Sequence, residues 1–170
     1  MYGGKIYLTS NTNKAEEATP LRIGGRMETK KLNFKILGQV KAKQSVKFTR
    51  SGIKYTPKDV VNYANWVRTC FYNAYPNHLP SMLEGYYLDV CINVFFKVPD
   101  SFSKKKKELA LLDRIRPNKK PDIDNLQKSL FDSLNGIAYP DDKAIVDVHA
   151  HKYYANEDSV IVTIIGTKES

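Results

Sequence analysis

An acidic segment in the second half of the chain contains the residues best suited to chemistry. Asp122 and Asp124 lie two positions apart, Lys128 follows them, and a second acidic pair, Asp141 and Asp142, comes later. Side chains at alternate positions of extended backbone share one face, so the first two carboxylates can point to a common spot. If a helix begins near Asp124, Lys128 lies about one turn along the same side.

This combination of residue types suits the hydrolysis of a phosphodiester. The reaction needs a nucleophilic water and relief of negative charge on the phosphate, and hard divalent ions such as Mg²⁺ supply both. Such ions prefer carboxylate oxygens and water as ligands. Crowded carboxylates repel each other and are best tolerated when they share a cation. A nearby lysine can neutralise the charge that develops on the phosphate. The pattern therefore favours a divalent-metal site acting on phosphodiester bonds.

Each acidic residue also has a structural interpretation, and these alternatives remain open at this point. Asp122 or Asp124 could serve only as the N-cap of a helix, which is a common use of aspartate. The pair Asp141 and Asp142 could serve only in a turn. Taken singly, these structural uses are the more common ones. Taken together in a basic protein they explain less, because a cap does not require two aspartates and a second acidic pair.

The elements that must position these residues indicate a small α+β domain. Leu32, Phe34 and Ile36 alternate with other residues as in a strand, and a nearly apolar run ending at Val98 is typical of a central strand. Trp66 falls on the apolar face of a helix, where core packing is the common outcome. We expect strands at 32–37, 86–98, 144–154 and 159–166 and helices at 56–75 and 125–134. Residues 1–30 are expected to form an arm or extension, and residues 31–168 the domain.

Composition bounds the class of protein. The chain has 170 residues, with 42% hydrophobic and 26% charged residues, which suits one globular domain and argues against wholesale disorder. The formal net charge of +9 favours an anionic partner, with nucleic acid the first expectation. Two cysteines are too few for a disulfide scaffold or a four-cysteine zinc site. With no apolar run long enough to span a membrane and no secretory signal, we expect a soluble intracellular protein without a membrane partner.

Much of the positive charge lies directly before the acidic segment. Residues 97–120 carry nine cations and three anions, which we interpret as a flexible loop that holds the phosphates beside the scissile bond. A solvated run of charge is the alternative. The expected DNA-binding residues are Lys41, Lys43, Lys104, Lys105, Lys106, Lys107, Arg114, Arg116, Lys119 and Lys120. The alternating row Asp147, His149 and His151 could bind zinc or manganese, but the solvated face of an edge strand is the more common occurrence.

The acidic segment resembles that of the RusA-type Holliday-junction resolvases, which are endodeoxyribonucleases of bacteria and their phages. The likeness is carried by PDIDNLQK at 121–128, FDSL at 131–134 and the pair at 141–142, with a weaker match of GQVKAKQ at 38–44. It extends over about Leu32 to Ile165. The resemblance implies a small mixed β-sheet packed against two main helices in a domain that forms a homodimer. It also implies that Asp122, Asp124 and Asp142 bind Mg²⁺, with Mn²⁺ as a substitute, and that Lys128 is the catalytic lysine.

The function implied by the resemblance is a metal-dependent endodeoxyribonuclease that resolves Holliday junctions by paired symmetric nicks, in DNA recombination and repair. Its partner would be branched DNA. Its place would be the cytoplasm of a bacterium or of a phage-infected cell, at the nucleoid when at work. Two other interpretations stay open. One is a catalytically silent DNA-binding module that uses the carboxylates as caps, and the other is a nuclease acting on other branched DNA such as flaps or forks.

Overall fold

A computed structural model describes residues 26–40, 47–48, 54–55 and 58–169. The strands are β1 (Met27–Leu37), β2 (Lys47–Phe48), β3 (Lys54–Tyr55), β4 (Tyr87–Lys97), β5 (Ile145–Ala155) and β6 (Ser159–Glu169). The helices are α1 (Lys58–Ala74), α2 (Lys104–Leu111) and α3 (Ile123–Leu134), with short 3₁₀ turns at Pro80–Leu83 and Asp142–Ala144.

The four long strands form one mixed sheet in the order β1-β6-β4-β5. Strand β6 pairs antiparallel with both β1 and β4, whereas β4 and β5 are parallel. A parallel pair needs a crossover connection, and α2 and α3 occupy the one between β4 and β5. β2 and β3 form a separate antiparallel pair. No helix among the described residues is long and apolar enough to cross a membrane.

The core lies between one face of this sheet and helices α1 and α3. Alternate side chains of β4, from Leu88 to Phe96, are buried, while those between them are only partly covered. Leu126, Leu130 and Leu134 of α3 are also buried, and Phe71 of α1 meets Phe34 of β1 edge-on at 5.3 Å between ring centroids. The expected α+β class, with a mixed sheet packed against two main helices, is confirmed.

The sheet begins earlier than the sequence indicated. β1 starts at Met27, inside the expected arm, and residues 27–30 pair with residues 166–169 of β6. The side chains of Met27, Thr29, Lys30 and Lys31 are exposed, so this part of the strand has no alternation of apolar and polar residues to reveal it. The remaining part of the expected arm, residues 1–25, lies outside the described residues, as do Lys41 and Lys43.

The prediction of a flexible loop before the acidic segment is wrong for the lysine run Lys104–Lys107. Lys104–Leu111 is helical, and the hydroxyl of the N-cap residue Ser103 accepts a hydrogen bond from the Lys106 N–H at 3.4 Å. Lysine, glutamate, leucine and alanine are all good helix formers. Once Ser103 caps the first turn, these residues are therefore sufficient to extend it into a short helix. The segment after α2 is attached to β5, because Arg116 Nε donates to the Lys152 carbonyl at 2.7 Å and Lys152 Nζ donates to the Lys119 carbonyl at 2.8 Å.

Candidate functional site

Helix α3 holds the first part of the candidate site. Its leucines face the core, so the opposite face, which contains Asp124, Lys128 and Asp132 at four-residue intervals, is exposed. Asp122 precedes the helix as its N-cap residue and is also exposed. The structure therefore places Asp122, Asp124 and Lys128 on solvent-facing positions along one end of α3.

The side chain of Asp122 does not cap α3. Asp122 has the extended backbone of an N-cap residue, but its carboxylate makes no capping hydrogen bond. Within the described ranges, the carboxylates of Asp122 and Asp124 and the ammonium group of Lys128 have no hydrogen-bond or ion-pair partner. These charged groups thus make no hydrogen bond or ion pair that holds the described part of the fold together.

The two aspartates of the second acidic pair differ in their contacts: the Asp141 carboxylate has a structural role, and the Asp142 carboxylate has no partner among the described residues. Asp141 caps the 3₁₀ turn that follows it, since its Oδ1 accepts a hydrogen bond from the Lys143 N–H at 2.9 Å. Its Oδ2 lies 3.7 Å from Lys143 Nζ. Asp142 is half-buried, and no residue of the described part of the chain hydrogen-bonds to its carboxylate or pairs with it. Of the two neighbours, Asp142 is the one available for a ligand.

Tyr139 links Asp142 to α3. The chain leaves the helix through a tight return in which the Gly136 N–H donates to the Tyr139 carbonyl at 3.0 Å. The Tyr139 ring is buried, and its hydroxyl donates to the Phe131 carbonyl of α3 at 3.4 Å. Burial raises the pKa of Tyr139 well above its usual value, and the negative charges of Asp142 and Asp132 raise it further. Asp142 and α3 therefore lie within electrostatic reach of the same phenol.

The three expected metal ligands are not gathered into a ready site. Within residues 26–40, 47–48, 54–55 and 58–169, no group of three or more His, Cys, Asp or Glu side chains is arranged to hold a metal ion. The donor chemistry of Asp122, Asp124 and Asp142 nevertheless fits a hard divalent cation, because all three present oxygen donors that no described protein group occupies.

The histidine row lies on an edge strand, as the more common interpretation had it. β5 is at one edge of the sheet, and Asp147, His149 and His151 are exposed along it. His149 Nε2 lies 3.9 Å from Asp89 Oδ1 on the neighbouring strand.

The basic residues near the acidic segment differ in how far their charges are engaged. Lys104 and Lys105 are exposed on the first turn of α2. Lys106 Nζ lies 4.0 Å from the centroid of the Phe102 ring, and Lys119 Nζ lies 4.8 Å from that of Phe96. Such cation–π contacts hold the side chains in place while the charges stay near the surface.

Arg116 is the most firmly positioned of these cations. Its guanidinium stacks at 3.9 Å on the Tyr153 ring, in addition to its hydrogen bond to the Lys152 carbonyl. Arg114 and Lys120 are exposed. The contact between Arg116 and the Tyr153 ring was not predicted from the sequence, because the two residues lie far apart along the chain.

Comparison with known proteins agrees with this arrangement. The family described as Endodeoxyribonuclease RusA matches residues 33–165. An uncharacterized protein of Bacillus subtilis (strain 168), YqaN, is 38% identical over 89 residues, which cover 51% of this chain and 63% of that protein. The chain thus matches less than two thirds of the length of this relative. The family match includes α3, the acidic pair and all of β4 and β5.

Proposed function

The chain belongs to the endodeoxyribonuclease RusA family, and on that basis we propose that it is a metal-dependent endodeoxyribonuclease that resolves Holliday junctions. The observation that carries the proposal is that three acidic side chains lack hydrogen-bond and ion-pair partners. The carboxylates of Asp122, Asp124 and Asp142 have no structural partner among the described residues, although the neighbouring Asp141 has one. Unpaired carboxylates confer little on the fold, so a ligand is the simpler reason for their presence.

Nucleases of this family generally depend on a divalent metal ion. In the proposal Asp122, Asp124 and Asp142 hold Mg²⁺, for which Mn²⁺ substitutes. The bound ion would supply an activated water and offset charge on the phosphate. Lys128 lies one turn beyond Asp124 on the same exposed face, from which its ammonium group donates hydrogen bonds to a phosphate oxygen as negative charge develops there.

The cations before α3 are proposed to bind the DNA backbone. Most of these cations come directly before the acidic residues in the chain: Lys104–Lys107 on α2, Arg114, Arg116, Lys119 and Lys120. The proposed set also includes Lys41 and Lys43. Contacts from lysine and arginine to phosphates give affinity that does not depend on base sequence and weakens with salt. They orient the duplex arms while the carboxylates act at the scissile phosphate.

Paired symmetric nicks require two equivalent sites, so we propose that the protein acts as a homodimer with one site in each chain. Its substrate would be the four-way junction formed in recombination and repair. The proposed setting is the bacterial cytoplasm, at the nucleoid.

A junction assay tests the proposal directly. Wild type and Asp124→Asn are incubated with a labelled four-way junction in Mg²⁺, and Asp100→Asn, an exposed aspartate in the loop after β4, is the matched control. We expect the Asp124 variant to bind the junction but to cut it at least about 100-fold more slowly, and the control to cut like wild type. Binding without cutting is expected in Ca²⁺. Normal cutting by Asp124→Asn contradicts the assignment of the site.

The same assay decides between the substrate classes. Four-way, three-way and linear DNA are compared at equal salt, because affinity for any DNA depends on ionic strength. Preferential cutting of the four-way form supports junction resolution, and preferential cutting of flaps or forks makes the protein a nuclease for other branched DNA. No cutting of any substrate in Mg²⁺ or Mn²⁺ leaves only a DNA-binding module.

A further inference from the structure

Arg116 is held beside β5 by contacts at two places on its side chain. Its Nε donates to the Lys152 carbonyl at 2.7 Å, and its guanidinium carbon lies 3.9 Å from the centroid of the Tyr153 ring. An exposed arginine without such contacts samples many rotamers. Here the hydrogen bond fixes one end of the planar group and the stack fixes its plane, so the guanidinium of this exposed residue has a defined orientation.

The Tyr153 ring is itself supported by its neighbours. It stacks on Phe95 of β4, with 5.5 Å between ring centroids and 23° between planes, and the His151 ring lies 6.1 Å away on β5. Phe95 and Tyr153 are register partners of the parallel pair, so both rings project from the face of the sheet opposite α1 and α3. Arg116 therefore packs on a platform built by two adjacent strands rather than on an isolated side chain.

The two terminal nitrogens of Arg116 remain available to a ligand. Among the described residues, no carboxylate forms an ion pair with Arg116, and the Lys152 carbonyl is the one acceptor that its guanidinium binds. The Nε alone is enough to fasten the chain to β5, which leaves the positive charge and the terminal N–H groups without a structural use. Such N–H groups, in a planar fork, match two oxygens of a phosphate.

The segment between Arg116 and the acidic residues is fastened to the same point of β5. Lys152 Nζ donates to the Lys119 carbonyl at 2.8 Å, while the Lys152 carbonyl accepts from Arg116. Asp122 follows Arg116 by six residues, so their Cα atoms are at most roughly 20 Å apart at about 3.6 Å per residue. At about 3.4 Å per nucleotide, this span corresponds to no more than about six nucleotides of one DNA strand.

We propose that Arg116 is a pre-oriented clamp for one DNA phosphate near the scissile bond, and that Tyr153 is the positioning residue that holds the clamp. This inference rests on the proposed function and adds to it a difference among the cations. A lysine ammonium is a point charge on a flexible stem and attracts the DNA backbone without fixed geometry. Arg116 binds a single phosphate through its terminal nitrogens, and this contact sets which phosphodiester reaches the carboxylates.

The Tyr153 ring contributes to affinity in this proposal without touching the DNA. Immobilising a flexible side chain when a complex forms reduces affinity, and a side chain that is already oriented avoids much of that loss. Removal of the ring frees the guanidinium while the charge stays in place. We therefore expect DNA binding to weaken by about two- to tenfold, with no change in the number of phosphates neutralised.

Junction binding measured against salt concentration, without divalent metal, tests the clamp. Arg116→Gln removes one phosphate contact, so affinity should fall about tenfold, and the slope of log affinity against log salt should decrease by about 1. Lys31→Gln removes the same charge from an exposed position of β1, at the opposite edge of the sheet, and should leave the slope unchanged. A wild-type slope for Arg116→Gln overturns the clamp.

The same titration tests the positioning role of Tyr153. Tyr153→Leu should bind about two- to tenfold more weakly at an unchanged salt slope, and Tyr153→Phe, which keeps the ring, should bind like wild type. Tyr87→Leu, at an exposed ring of β4, is the matched control and should not weaken binding. Wild-type affinity of Tyr153→Leu, or an equal loss in Tyr153→Phe, overturns the positioning role. Arg116→Lys keeps the charge without the fork, so it should reproduce the Tyr153→Leu result and serves if that variant does not fold.

The position of the cut tests whether the clamp sets the register. In Mg²⁺, Arg116→Lys should spread its cuts over neighbouring phosphodiesters when the products are mapped at single-nucleotide resolution. An unchanged distribution of cuts refutes the register role. The binding titrations use no metal and read no cutting. A protein that shows the expected binding but cuts no DNA therefore loses the proposed nuclease function and keeps the clamp.

Discussion

Asp141 and Asp142 are adjacent, and their contacts give opposite expectations for stability and activity. The change that tests them is a pair of substitutions, Asp141→Ala and Asp142→Asn. The Asp141 carboxylate accepts the Lys143 N–H at 2.9 Å, whereas Asp142 has no side-chain partner in the described ranges. One substitution should therefore act on the fold and the other on the reaction.

The magnitudes follow from these contacts. Loss of a capping side chain lowers the free energy of unfolding by about 0.5–2 kcal/mol. The ion pair of Asp141 with Lys143 is solvent-exposed and adds little. For a chain of this size, about 1 kcal/mol lowers Tm by roughly 2–4 °C. Asp142→Asn removes no protein contact, so the free energy of unfolding should change by less than about 0.5 kcal/mol.

Two measurements on each variant check this expectation: thermal unfolding, and single-turnover cutting of a four-way junction in Mg²⁺. Asp142→Asn should keep its Tm and lose at least about 100-fold in cutting rate. Asp141→Ala should lose a few degrees in Tm and cut at nearly the wild-type rate. A reversed outcome, in which Asp141→Ala abolishes cutting while Asp142→Asn only lowers Tm, refutes the division of roles between the two aspartates.

Two further predictions concern the sheet edge and the basic helix. Tyr75→Phe removes both hydrogen bonds to the backbone of Asn33, which water can partly replace, so unfolding free energy should fall by about 1 kcal/mol in a denaturant titration. Tyr72→Phe, on the exposed side of α1, is its control. An equal loss of unfolding free energy in Tyr72→Phe would contradict a stabilising role of the Tyr75 hydrogen bonds. Replacing Lys104 and Lys105 by alanine should weaken junction binding and reduce the slope of log affinity against log salt by up to about 2. An unchanged slope would mean that these two lysines do not contact phosphates.

Much of the fold was predictable because several elements alternate with a clear period. β4 runs from Tyr87 to Lys97 in the interior of the sheet, as its nearly apolar sequence indicated. α3 ends at Leu134, as the sequence predicted, and Gly136 just beyond it has a positive φ of 70° that suits a glycine after a helix. In both cases the local signal and the tertiary packing agree, so periodicity was sufficient.

Other elements depended on contacts that local patterns do not contain. α2 has a lysine-rich sequence without a broad apolar face, and its helix was not expected. Trp66 was expected in the core, but it is 44% exposed because its indole N–H reaches the Leu37 carbonyl at the sheet edge. Adjacent residues of extended backbone point to opposite sides, so only one of Asp141 and Asp142 can face the site. The resemblance named Asp142 as the ligand, whereas the use of Asp141 as a cap could not be read from the spacing, because it depends on the backbone turn that follows Asp141.

The two faces of α3 explain how a charged site can coexist with a stable fold. The buried leucines anchor the helix to the sheet, while the charges of Asp124 and Lys128 project from the other side. Asp122 and Asp124 lie at the N-terminus of the helix, where the backbone dipole favours negative charge by about 0.3–1 kcal/mol each. This offsets part of their mutual repulsion. Asp142 lies outside α3 and has no such support, so its unpaired carboxylate is the one of the three that gains most from a bound cation. Substitutions in this trio should therefore change the reaction far more than the fold.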